Sequence, residues 1–62
     1  MVEVAFTNGD TLTIRNGKTV VTNKDHSLFV VITEERKVLI PFSHVLYIGE
    51  VKEDEYGNTV FI

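Results

Sequence analysis

The chain has 62 residues, of which 44% are hydrophobic and 24% are charged, a composition typical of an ordinary globular protein that excludes a disordered one. Nine acidic residues against six basic ones give a net charge of −3, which repels nucleic acid phosphates and disfavours a general nucleic-acid binder. The absence of cysteine excludes disulfides and metal sites made of thiolates.

A chain of this length forms a single domain, residues 1–62, with a thin core. Folding at this size removes only about 60% of the unfolded surface from water. The conformational entropy lost on ordering the chain costs roughly 1.5 kcal/mol per residue. The net folding free energy that burial provides within one copy is therefore close to zero. We therefore expect additional stability from self-association, that is, a homo-oligomer.

The first predicted elements form a hairpin. Residues 2–6 alternate between apolar and mainly polar side chains, with the period of two that indicates a half-buried strand. Asn8-Gly9 favours a tight turn, after which Leu12 and Ile14 are predicted to point inward from a second strand.

A second Asn-Gly pair, Asn16-Gly17, follows only eight residues later. It predicts either another hairpin turn or a bulge, and it leads into a strand over residues 18–23. The polar stretch 23–26 is typical of a loop.

The segment SLFVVIT, residues 27–33, is the most β-prone in the chain. Leu28, Val30 and Ile32 share one face and Phe29 and Val31 share the other, so both faces are apolar. This pattern predicts a central strand that is covered on both sides.

The remaining predicted elements are shorter. Residues 34–37 make a turn, and residues 38–42 form an antiparallel partner of the central strand. Two final strands flank a Gly57-Asn58 turn, and the acidic stretch 50–55 is predicted to be a solvated edge or loop.

These patterns predict an all-β fold of about six short antiparallel strands, arranged as a small β-barrel or a strongly curved sheet. No stretch keeps a helical period over ten or more residues.

Pro41 interrupts the densest apolar stretch, LIPFSHVLYI, at residues 39–48. Proline cannot donate to a sheet ladder, so Pro41 must lie at a strand end, an edge or a bulge. Ser43-His44 then fits a short 3₁₀ turn, a corner between two strands.

Catalytic chemistry is disfavoured. Ser43-His44 and His26-Ser27 are adjacent pairs, and neighbouring residues on a strand point to opposite faces. Two histidines fall short of the three protein ligands usual at a catalytic zinc site, unless carboxylates or a second subunit complete it. We expect no enzyme activity and no cofactor.

The start of the chain has no basic segment followed by an apolar run, and no run of about 18 apolar residues occurs. The expectation is a protein that resides in the cytoplasm and does not engage a membrane.

Residues 2–14 and 37–48 together resemble the two signature halves of the Sm-like (Hfq-type) family of small β-barrels. The resemblance is carried by apolar positions and one turn: Val4, Phe6, Asn8, Gly9, Leu12, Ile14, Ile40, Val45 and Ile48. It implies an Sm-like fold and RNA binding. Pro41, Phe42 and Ser43 stand where the family has its basic RNA contacts. In general style, the chain is also similar to small all-β proteins of Gram-positive bacteria and their phages.

The leading hypothesis is a non-enzymatic binding module that acts through its own oligomer and a protein partner. The alternative is an Sm-like RNA-binding protein, with the cations of Arg15, Lys18 and Lys24 gathered on one face and Tyr47 or Phe42 stacking on a base. A third hypothesis is a small-ligand pocket between subunits or at the barrel mouth, which would use Ser43 and His44.

Overall fold

The computed structural model describes residues 1–62 as seven strands and one 3₁₀ turn, with no α-helix. The strands are β1 (Val2–Phe6), β2 (Thr11–Ile14), β3 (Gly17–Asn23), β4 (Leu28–Thr33), β5 (Lys37–Pro41), β6 (Val45–Glu53) and β7 (Thr59–Phe61). They form two antiparallel sheets, a four-stranded sheet in the order β2-β1-β6-β7 and a three-stranded sheet in the order β3-β4-β5. The all-β prediction is confirmed, and each strand predicted in chain order is present.

The β1–β2 hairpin closes at the first Asn-Gly pair. Gly9 has a φ of 94°, which glycine adopts without strain. The Asn8 side chain accepts a hydrogen bond from the Asp10 amide at 2.9 Å and donates one to the Asp10 carboxylate at 3.1 Å. The predicted turn is therefore present.

The second Asn-Gly pair lies at the corner where the chain leaves one sheet for the other. β2 and β3 belong to different sheets, so they do not form a hairpin. Instead, the pairing of β3 with β4 shifts register between Gly17 and Thr19, which is the bulge alternative.

The strand β4 is central in the three-stranded sheet, as predicted. Its side chains Val31 and Thr33 are buried and the other four are half-buried, so both faces are at least partly covered. The following turn is stabilised by Thr33, whose hydroxyl donates to the Arg36 carbonyl at 2.8 Å and accepts from the Arg36 and Glu35 amides.

Pro41 is the last residue of β5, at the sheet edge, and the predicted 3₁₀ turn follows as Phe42–His44. β6 then returns to pair with β1, and β7 pairs with the end of β6. The stretch 50–55 differs from the prediction, because residues 50–53 belong to β6 and Val51 within them is buried.

The core lies between the two sheets. Val2 and Val4 of β1 pack with Val31 of β4 and Ile40 of β5, and half-buried aliphatic and aromatic side chains surround them. Only eight of the 62 residues are buried, as expected for so short a chain. No strand pairing joins the two sheets, so they do not form a closed barrel.

The molecule is flat. Its extents are 39 × 28 × 16 Å and its radius of gyration is 11.7 Å, against about 10.6 Å for a compact domain of this length. Its accessible surface is 4522 Å², whereas a folded monomer of this mass exposes about 4,000 Å². One copy therefore leaves an unusually large surface uncovered.

No helix of sufficient length and apolar character to cross a bilayer is found in the structure.

Candidate interaction surfaces

Each sheet ends in strands that have a neighbour on one side only: β2 and β7 in the four-stranded sheet, β3 and β5 in the three-stranded sheet. Just beyond the two ends of β5, the Phe42 amide donates to the Ser27 carbonyl and the Arg36 carbonyl accepts from the Thr33 amide, which sets the alternation of the ladder. Lys37 and Leu39 consequently direct their backbone N–H and C=O groups away from β4. These groups are free to pair with another strand.

A depression of about 450 Å³ lies between the β1–β2 hairpin and β5. Phe6 and Leu12 line one side and Val38, Leu39 and Ile40 line the other, with polar groups at the rim from Asp10 and His44. Leu12 was expected to point into the core. It is instead 41% exposed, because β2 is an edge strand beside this opening.

The outer face of the four-stranded sheet carries an exposed aromatic pair, Tyr47 and Phe61. Their ring centroids are 5.6 Å apart in an edge-to-face arrangement. The Phe61 ring lies over Gly49, where an added Cβ would be 3.0 Å from it. The Tyr47 hydroxyl donates to Glu3 at 3.3 Å.

The surroundings of Tyr47 raise the pKa of its hydroxyl group. Partial desolvation, the negative charge of Glu3 and the hydrogen bond to Glu3 all raise the pKa of the Tyr47 hydroxyl above its ordinary value of 10.0. The phenol therefore stays protonated and can continue to donate at physiological pH.

The outer face of the three-stranded sheet is aliphatic. In the register of the sheet, Val21 of β3, Val30 of β4 and Leu39 of β5 form one row across the three strands. Val21 is 45% exposed and Leu39 is 59% exposed. Together with parts of the loop after β3, this row lines a shallow depression of about 610 Å³.

The predicted polar corner has a structural role in the fold. Phe42 is half-buried against Phe29, with ring centroids 4.6 Å apart, so its ring packs within the protein. The turn is held by backbone groups: the Thr7 amide donates to the His44 carbonyl at 3.0 Å, and no side chain caps the turn. Ser43 and His44 are exposed, and of the two only His44 lines the depression beside β5.

The basic candidates occupy separate places. Arg15 lies in the corner between β2 and β3 and lines a depression together with Lys52 and Glu53, and Lys24 lies in the loop after β3. Lys18 forms an exposed ion pair of 2.7 Å with Glu34. Arg15 and Lys24 line different depressions. Tyr47 lies on the outer face of the four-stranded sheet, near Glu3.

The two histidines lie apart from each other, His26 in the loop before β4 and His44 in the 3₁₀ turn. The His26 ring contacts the Asn23 side chain at 3.4 Å, and no hydrogen bond joins a histidine ring to a serine hydroxyl. No group of three or more His, Asp or Glu side chains is close enough to hold a metal ion.

The sequence did not predict Phe61 as the partner of Tyr47, nor the row in which Val21 and Leu39 are exposed on either side of the half-buried Val30. A signal for the row was present: β3, β4 and β5 each carry consecutive apolar residues, so each has an apolar side chain on both faces. Only β4 was interpreted in this way. The pairing of Phe61 with Tyr47 depends on strand register, which has no local signal here.

Comparison of the chain with protein-family models, with curated proteins and with solved structures finds no match.

Proposed function

We propose that this protein is a non-enzymatic interaction module that self-associates and binds a protein partner. The observation that carries the proposal is the uncovered surface: 4522 Å² are accessible, about 500 Å² more than a compact monomer of this mass exposes. The large radius of gyration and the four strands with a free side support the same conclusion. Covering this surface with a second copy supplies burial that one copy lacks.

The free side of β5 supports the protein partner. Lys37 and Leu39 offer backbone donors and acceptors to an added strand, and the neighbouring depression offers an apolar floor from Phe6, Val38 and Ile40. Addition of an extended segment to a sheet edge obtains affinity from main-chain hydrogen bonds and specificity from such pockets.

We further infer that the two sheets are halves of an open, Sm-like barrel. Two features support this inference: the chain passes from β2 to β3 through a corner over Gly17, and β6 returns to pair with β1 after the 3₁₀ turn. The resemblance noted in the sequence covers β1, β2, β5 and the start of β6, and it does not extend to β3.

Size-exclusion chromatography with light scattering tests the self-association. We expect an average mass above that of one chain at high micromolar to millimolar concentration, falling towards 7.0 kDa on dilution. A mass of one chain at every concentration up to the millimolar range would contradict the proposal.

The exposed aromatic pair favours a second function, the binding of single-stranded RNA by stacking on Tyr47 or Phe61. Glu3 beside Tyr47 and the net charge of −3 oppose it. Fluorescence anisotropy with short uridine-rich and adenine-rich RNAs at low salt tests it. Binding that is lost in Tyr47→Ala supports it, and no binding at high micromolar protein ends it.

A further inference from the structure

The aliphatic face is the outer side of the three-stranded sheet around Val30. Strand alternation and register place Val21 and Leu39 on either side of Val30, and Leu28 and Ile32 before and after it on β4. The opposite sides of the same strands carry Val31 and Ile40, which are buried in the core. The aliphatic face is thus a second apolar layer, on which Val21 and Leu39 are exposed and the β4 side chains between them are half-buried.

Charges are sparse on the aliphatic face. Of the side chains that share the register rows of Val30 and its neighbours, only Lys37 is charged. Lys24 and Asp25 stand at the rim, where their charges are opposite. None of the other eight acidic residues belongs to the face, although the chain as a whole carries a net charge of −3. Two copies can therefore approach through this face with little like-charge repulsion.

The surface area fits a second copy. Each chain exposes about 500 Å² more than a compact monomer of the same mass. This excess is distributed over the whole molecule, and the aliphatic face holds part of it, chiefly at Val21 (45% exposed) and Leu39 (59% exposed). Two copies that cover the full excess would bury about 1,000 Å² in total, the lower limit for a specific interface. A contact of this size gives a weak, reversible dimer, whose aliphatic side chains pack as a core does.

We propose that two copies of this protein stack face to face through the aliphatic face, with the two three-stranded sheets packed about 10 Å apart as in a β-sandwich. The contact is isologous, so the same five aliphatic side chains contribute from each copy. This inference rests on the self-association proposed above and names the surface that carries it. The backbone groups on the free side of β5 stay accessible to a protein partner in this arrangement, whereas the side chain of Leu39, which also lines the depression beside β5, is covered.

Leu39→Glu tests the proposal, because Leu39 is 59% exposed in one copy and its replacement leaves the core intact. In the stacked dimer, the Leu39→Glu substitution would bury two carboxylates, one from each copy, against aliphatic side chains. Burial of these charges strongly opposes association. The matched control is Leu46→Glu, the same substitution at a residue of β6 that is 70% exposed and outside the aliphatic face. Circular dichroism establishes that both variants are folded.

Sedimentation equilibrium on the wild type and both variants gives the dissociation constants. We expect Leu39→Glu to weaken self-association at least about tenfold and Leu46→Glu to leave it unchanged. If the wild type self-associates and Leu39→Glu does not weaken it, the stacking is wrong and the proposed function stands. If the wild type is a monomer throughout, both fail. A second variant, Val21→Lys, repeats the test from β3 should Leu39→Glu be unfolded.

Discussion

At the scale of single residues, Gly17 packs closely against both sheets, next to Val2 of β1 and Val31 of β4. A Cβ at this position would be 2.9 Å from Val2 Cγ2, 3.1 Å from Val31 Cγ1 and 3.1 Å from the Ile14 carbonyl oxygen. Two of these atoms belong to fully buried valines and one to the backbone, so none can move without disturbing the core.

We expect Gly17→Ala to lower the free energy of unfolding by about 1–3 kcal/mol through this overpacking. Gly49→Ala is the matched control. Its Cβ would meet only the ring of Phe61, which is 58% exposed and can move aside, so a smaller loss is expected. Urea denaturation at one fixed protein concentration measures both, and equal losses would show that the corner is not tightly packed.

Tyr47 and Glu3 give a pH-dependent prediction. Partial desolvation and the nearby Glu3 raise the pKa of Tyr47 in the folded state, so its contribution to stability is present below about pH 10 and is lost as pH rises through the folded pKa. In a Tyr56→Phe background, Glu3→Gln should lower the pKa of Tyr47 towards its ordinary value. Ultraviolet titration of the tyrosinate follows it, and an unchanged pKa would mean that the two side chains do not interact.

At the scale of elements, the β4–β5 hairpin depends on one buried hydroxyl. Thr33 is 7% exposed. Its hydroxyl donates a hydrogen bond to the Arg36 carbonyl and accepts hydrogen bonds from the amides of Arg36 and Glu35. Valine has the same shape but leaves these turn groups without their side-chain partner. We expect Thr33→Val to cost about 1–2 kcal/mol.

Thr13→Val provides the control for this hairpin. Thr13 lies exposed on the edge strand β2, where valine fits a strand at least as well as threonine. Thermal unfolding followed by circular dichroism compares the two variants. If Thr13→Val lowers the stability as much as Thr33→Val, the effect arises from replacing threonine in a β-strand and not from the hydrogen bonds of the turn.

At the scale of the whole molecule, stability and association are coupled. Under the proposed self-association, a flat chain with eight buried residues gains part of its burial from a second copy, and a partner that binds only the folded state raises the unfolding temperature by mass action. We expect the Tm to rise with protein concentration across roughly a hundredfold range. Calorimetry measures it; a Tm independent of concentration would indicate a self-sufficient monomer.

Much of the fold could be predicted from local patterns. Alternation identified the strands, and Asn8-Gly9, Pro41 and Gly57 marked a turn, a strand end and a final hairpin where the structure has them. These features are determined within a few residues, because backbone dihedral preferences and the period of two are local. The sequence by itself therefore determined an all-β chain with short antiparallel strands and a 3₁₀ corner at Ser43-His44.

Only the tertiary structure decided which surfaces are exposed. Leu12 and Leu39 lie in patterns as apolar as those of Val4 and Ile40, yet the first two are exposed and the last two are buried. The difference arises from how the two sheets pack and where each sheet ends, which depends on contacts between residues far apart in the chain. For the same reason, the aliphatic face around Val30 and the pairing of Tyr47 with Phe61 emerged only once the strands were in register.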